Sequence, residues 1–167
     1  ALRSAGNAKE VCEIIRRDTG IEITVLSGNE EARLLKYVRP KKNFKKKKCL
    51  VVDIGGGSTE FYHTDADNEF IRSVDLGAVR VMENRDKASD WSCLKSMLAE
   101  LNHDSIETVL GVGANARIAV RIFGAGNASS ASLADLKNAE ANLAGVSVEE
   151  LSGAFSLSID RAELVPH

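Results

Sequence analysis

The chain has 167 residues, 44% of them hydrophobic and 28% charged. That is the balance of a globular domain, or parts of two, with a core of its own, and it excludes collagen-like, mucin-like and wholly disordered chains. The formal net charge of −2 hides a division: residues 1–48 hold 13 Lys/Arg against 6 Asp/Glu, and residues 49–167 hold 9 against 18.

No apolar run nears the roughly 18 residues that cross a bilayer. The longest, Cys49 to Val52, is strand-sized, so no membrane partner is expected. Three widely spaced cysteines, Cys12, Cys49 and Cys93, suggest reduced thiols and a cytoplasmic setting, not a disulfide framework. The N-terminus, Ala1-Leu2-Arg3-Ser4, shows no apolar leader and no initiator Met, and the expectation is a processed or partial chain.

In chain order, Val11, Ile14 and Ile15 recur at helical spacing between Asn7 and Thr19, and Gly20 is placed to end that helix. Ile21 to Leu26 alternates and predicts a strand. Ser27-Gly28-Asn29 offers a turn and an N-cap, with Glu30 and Glu31 in the first turn of a helix that Pro40 stops. Six lysines between Lys41 and Lys48 read as a solvated linker or as a capture segment for a polyanion. A nucleic-acid partner is not expected, because the chain as a whole is acidic and the run has only Phe44 as a stacking group.

Cys49 to Ile54 predicts a buried strand. Thr59 to His63 and Glu69 to Val74 predict two further strands of a hairpin or meander. Helices are expected from Gly77, along the stripe Leu94, Met97, Leu98 and Leu101, after the short strand Thr108 to Leu110, over Leu133 to Leu143, and from Ser147 to about Leu157. This order predicts an α/β layer fold. His63, His103 and His167 lack metal-ligand spacing and are expected on surfaces or loops; Cys12, on an apolar stripe, is expected in the core.

Chemistry concentrates in Asp53-Ile54-Gly55-Gly56-Gly57-Ser58-Thr59-Glu60. Consecutive glycines let backbone N–H groups face a phosphate without side chains in the way. Ser58 and Thr59 add hydroxyl donors, and Asp53 and Glu60 supply oxygen ligands of the kind Mg²⁺ takes. The plainer alternative is a tight hairpin turn ending in a stray acid. The stretch is neither a Walker A loop nor a dinucleotide fingerprint, since a strand follows it where those motifs require a helix.

These segments resemble the exopolyphosphatase / guanosine pentaphosphatase (Ppx/GppA) family. The matching pieces are Ala1 to Arg3, Ser27 to Leu34, Leu50 to Glu60, Leu76 to Arg80 and Gly111 to Ala114, with Arg161 to Pro166 similar to an arginine-led segment near the end of the family's catalytic core. The resemblance implies an actin-like, sugar-kinase-like (ribonuclease H-like) α/β fold, with a mixed sheet flanked by helices and two lobes around a cleft. On that pattern residues 1–37 are the tail of the first lobe, 38–48 a basic linker and 49–167 the second lobe.

The reaction it implies is Mg²⁺-dependent hydrolysis of a terminal phosphoanhydride of polyphosphate or guanosine pentaphosphate. Glu31 aligns with the catalytic glutamate. Arg3, Gly55, Gly56, Gly57, Ser58, Thr59 and Gly113 are expected to bind phosphate, and Asp53 and Glu60 the metal. A homodimer is the expected assembly. The family's earlier phosphate loop has no counterpart in this sequence, and Ala114-Asn115 stand where the family's second glycine loop carries glycine and a hydroxyl; both lower the turnover expected of the 167 residues by themselves. The alternative is a phosphate- or nucleotide-binding regulatory lobe of the same fold without turnover. An ATPase or kinase of the wider superfamily is disfavoured by the Glu30-Glu31-Ala32-Arg33 segment.

Overall fold

The computed structural model describes residues 2–38, 48–65, 68–101, 103–124, 129–143 and 145–165. Residues 39–47 of the expected basic linker (38–48) and His167 lie outside them. Four strands form one mixed sheet in the order β3-β2-β1-β4: β1 (Cys49–Ile54), β2 (Thr59–Asp65), β3 (Asn68–Val74) and β4 (Thr108–Val112). The first three make an antiparallel meander, and β4 joins β1 in parallel. The helices are α1 (Ala8–Thr19), α2 (Gly28–Leu34), α3 (Ala78–Met82), α4 (Ala88–Ala99), α5 (Gly113–Phe123), α6 (Leu133–Leu143), α7 (Val148–Phe155) and α8 (Ile159–Ala162).

The two faces of the sheet differ because side chains alternate along a strand. Leu50, Val52, Phe61 and Val74 pack with Leu76, Met97 and Leu101 into the buried core, where Leu94 and Leu98 of α4 join them. The opposite face carries α2, which packs on β2 and β3 and buries Ala32 completely; Leu35, in the 3₁₀ turn that follows, is also buried.

Local signals account for the ends of α1 and α2. Gly20 takes a left-handed conformation (φ 74°) and caps α1 on the Arg16 carbonyl. Ser27 and Glu30 form a reciprocal capping box that starts α2: the Ser27 backbone N–H donates to the Glu30 carboxylate (2.8 Å), and the Glu30 N–H to the Ser27 hydroxyl (3.3 Å).

Three expectations are corrected. Residues 21–26 form no strand. Their alternation is real, but a strand needs a partner edge, and no described strand pairs with them; Ile21 and Val25 remain exposed. Cys12 is only half-buried, because α1 has no buried residue at all. His63 is not a surface residue: it sits 4% exposed in β2, where its ring joins the Cys49 carbonyl (3.0 Å) to the Ser105 hydroxyl (2.9 Å) across the sheet. His103 does fall in an exposed 3₁₀ turn.

Candidate functional site

The register of the meander builds the site. Asp53 of β1 lies directly opposite Glu60 of β2, and Glu60 directly opposite Ser73 of β3. Residues paired this way share a face with Cβ atoms about 5 Å apart. Asp53, Glu60 and Ser73 therefore form a row on the α2 side of the sheet, at the end where the glycine loop turns. Ser73 donates its hydroxyl proton to Glu60 Oε1 at 2.9 Å.

Alternation turns Thr59 the other way. Its hydroxyl donates to the Leu76 carbonyl (2.7 Å) on the core side, and Thr59 does not line the cleft described below. The expectation that Thr59 binds phosphate is thus corrected, because two consecutive strand residues cannot both face one site.

The loop from Gly55 to Ser58 is held by its carbonyls. Gly55 and Gly56 oxygens accept from the N–H groups of Ala78 and Arg80, and the Gly57 oxygen accepts from Arg80 Nε at 3.0 Å. The loop is closed by the Gly55 N–H donating to the Ser58 oxygen. With the carbonyls turned toward α3, the N–H groups of Gly56, Gly57 and Ser58 have no acceptor among the described residues. Successive unpaired N–H groups of this kind make an anion-binding concavity.

The N-terminal segment reaches the same place from the other side. Arg3 donates through Nη1 to Glu31 Oε2 (2.8 Å) and through Nη2 to Ser58 Oγ (3.1 Å), and the same Nη2 lies 3.6 Å from Glu60 Oε1. One guanidinium thus joins α2, the glycine loop and β2. Gly28 allows this docking: a Cβ there would lie 2.5 Å from Ser73 Oγ and 2.7 Å from its Cβ.

Together these residues wall a cleft of about 740 Å³, with Arg3 and Glu31 on one side, Asp53 and Glu60 at the strand ends, and Gly55 to Ser58 beside Arg80. Gly113 is not in its lining. It sits at φ 84° where β4 passes into α5, and a Cβ there would lie 2.7 Å from Asp53 Oδ1, so its role in the described residues is to make room for that carboxylate. Asn115 donates to the Ile54 carbonyl at 2.8 Å, fixing the start of α5 against the end of β1.

Burial raises the pKa of the Asp53 carboxyl, and the nearby Glu31 charge adds to the rise. Burial likewise raises Glu60, opposed by hydrogen bonds from Ser58 and Ser73 and by the Arg3 charge, and reinforced by Glu31. The two acids differ in availability. Glu60 has a 4% exposed side chain already engaged by Ser73 and Arg3, whereas Asp53 lines the cleft with no donor among the described residues.

Among the described residues no group of three or more His, Cys, Asp or Glu is placed to hold a metal. Asp53 alone fits a cation that shares its shell with substrate oxygens and water, as Mg²⁺ commonly does. Glu60, hydrogen-bonded by Ser73 and 3.6 Å from Arg3, is less available to a metal than the sequence suggests.

Comparison with known proteins places this geometry. The sequence pattern of the Ppx/GppA phosphatase family matches residues 1–102, and the chain belongs to that family. Exopolyphosphatase 1 of Mycobacterium leprae and that of Mycobacterium tuberculosis (strain H37Rv) are each 37% identical over 83 residues, covering 48% of this chain and 24% of theirs. A solved exopolyphosphatase-like protein superposes with a TM-score of 0.75 at 21% identity, over 99% of this chain and 59% of its own. The Aquifex aeolicus PPX-GPPA enzyme gives 0.67 at 19% identity, over 99% and 62%.

The fold is accordingly the actin-like type, a four-stranded mixed sheet flanked by helices. The chain spans about a quarter of the curated relatives it matches and about three fifths of the solved ones. Gly111 to Ala114 and Arg161 to Pro166 lie beyond the family match, and Pro166 lies outside the described residues as well.

Sequence reasoning missed two residues in or beside the cleft. Ser73 is legible only once the β2–β3 register is known. Arg80 stands in the segment Leu76 to Arg80 that resembles the family, but its bond to the Gly57 carbonyl spans 23 residues and has no local signature.

Proposed function

We propose that the cleft holds the terminal phosphate of a polyphosphate or guanosine pentaphosphate chain and directs water at it, as an exopolyphosphatase-type phosphohydrolase. The carrying observation is that Gly56, Gly57 and Ser58, whose N–H groups have no acceptor among the described residues, line the same cleft as the Glu31 carboxylate, with Arg3 joining the two. The name of the mycobacterial relatives, exopolyphosphatase 1, supports this reading.

Phosphoryl transfer asks a protein mainly for positioning and for charge on the equatorial oxygens. The loop amides and Ser58 would bind those oxygens. Arg3 fixes one carboxylate oxygen of Glu31, and Glu31 Oε1, with no donor among the described residues, is left to face water. The water oxygen forms a bond to the terminal phosphorus, its proton passes to Glu31, and the bridging P–O bond breaks, leaving the shortened chain with the electron pair. Asp53 would hold Mg²⁺, which supplies neutralisation of charge on the phosphate oxygens when bound.

The test is phosphate release from polyphosphate and from guanosine pentaphosphate, in the longest natural form of the protein that carries these residues. Glu31→Gln keeps shape and removes the base, and kcat should fall about 10²–10⁴-fold while substrate binding survives. Turnover near the wild-type rate would exclude Glu31 as the base. Tight binding with no turnover by the wild type would favour a regulatory, non-catalytic lobe.

A further inference from the structure

The charges that line the cleft pair off almost completely. Arg3 is shared by Glu31 and Glu60, and Arg85 lies 3.0 Å from Glu83. Two charged groups remain without an ionic partner among the described residues, the Asp53 carboxylate and the Arg80 guanidinium. Arg80 is half-buried, and its Nε is spent on the Gly57 carbonyl. Its two Nη groups have no acceptor among the described residues, yet the residue lines the cleft.

An unpaired guanidinium with one edge anchored and the other open is a pre-organised receptor for an anionic oxygen pair. Its Nε grips the loop through the Gly57 carbonyl and not through the N–H groups that would hold a phosphate, so the Nη pair is left for a second anionic group in the same cleft.

We infer that Arg80 binds the phosphoryl group next to the terminal one. The cleft then selects chains of two or more consecutive phosphates over orthophosphate or a monoester. This rests on the proposed reading of the glycine loop as the terminal-phosphate site. Arg80 acts twice: Nε positions the loop, and the Nη pair recognises the chain.

The two jobs separate by substitution. In Arg80→Gln the amide nitrogen occupies the covalent position of Nε, so the bond to Gly57 can persist while the charge and both Nη groups are gone. Arg80→Lys keeps a charge and loses the Nε anchor. Orthophosphate, tripolyphosphate and GTP are titrated into wild type and both variants by calorimetry, with melting temperature as the check on folding; wild-type affinity tells a bare chain from a nucleoside-capped one.

Arg80→Gln should weaken whichever triphosphate binds by about 10–100-fold, as loss of charge-assisted bonds does. Its orthophosphate affinity and melting temperature should stay near wild type, and Arg80→Lys should recover part of the triphosphate affinity. Unchanged triphosphate binding by Arg80→Gln would leave Arg80 as a loop anchor only and overturn the inference. An equal loss on orthophosphate would overturn it too, by placing Arg80 on the terminal phosphate. Failure of the wild type to bind any triphosphate would instead overturn the functional reading, and this inference with it.

Discussion

The two helices of the N-terminal segment make an instructive pair. α1 is the longer, 12 residues against 7, with a well-formed apolar stripe and a glycine cap, yet its stripe is at most half-buried and none of its residues is fully buried. α2 is shorter than an isolated helix can sustain in water. It is nevertheless held at both ends of its geometry: the Ser27–Glu30 box starts it, and Ala32 packs flat on the sheet. The candidate base sits on the short, docked helix. Helical propensity makes the element, but packing places the carboxylate, and a carboxylate is useful for positioned chemistry only where it is placed.

The comparison can be broken by undocking α2. Gly28→Ala would drive a Cβ into Ser73, whose own Cβ is too close to evade by side-chain rotation alone. Overpacking of this kind costs about 1–3 kcal/mol. Because the same Ser73 hydroxyl holds Glu60, activity should fall further than stability does. Thermal melting measured beside phosphate release checks this; a Gly28→Ala variant with wild-type melting and activity would show that α2 is not held by that contact.

The second prediction sharpens the contrast on the sheet side. Asp53 has a folded-state pKa above its ordinary value, so its ionised form weighs against the fold. That penalty is absent below the ordinary carboxylate pKa, grows as pH rises through the folded-state value, and is complete above it. Asp53→Asn should therefore melt above wild type near pH 7. The advantage should vanish toward pH 3, and phosphate release should drop, a trade of function against stability. A melting difference of the same size at both pH values would mean that the Asp53 charge is not the cause.

The smallest effect is expected on α1. Ile14 is 40% exposed, and Ile14→Ser should change stability by no more than about 0.5 kcal/mol. Urea unfolding reads this directly. A loss beyond about 1.5 kcal/mol would show that α1 is packed in solution and that its contrast with α2 is wrong.

Which features were legible in the sequence follows the range of the forces behind them. The N-cap offered by Ser27-Gly28-Asn29, the Gly20 cap and strand β1 are local, and they stand where the pattern puts them. The Asp53–Glu60 pair was within reach: a four-residue connection between Ile54 and Thr59 puts 53 opposite 60, and the same count turns Thr59 away. Alternation alone misled at Ile21 to Leu26, since a period of two says nothing about whether an edge is available. The Arg3–Ser58 bond spans 55 residues and the His63–Ser105 bond 42, and no local pattern encodes contacts at such range. Family resemblance supplied Arg3 and Glu31 as site residues. It did not indicate that one guanidinium would hold Glu31, Ser58 and Glu60 together.

The central claim is that the glycine loop and the Arg3–Glu31 pair form one phosphate site. The most direct measurement is a tripolyphosphate titration followed by amide ¹H–¹⁵N correlation spectra of the labelled protein. The account predicts saturable shifts at Gly56, Gly57 and Ser58, with Glu31 moving on the same binding curve, while the amides of α1 stay still. Shifts confined to the lysine run at 41–48, with the glycine loop unmoved, would contradict it and reduce the interaction to electrostatic capture.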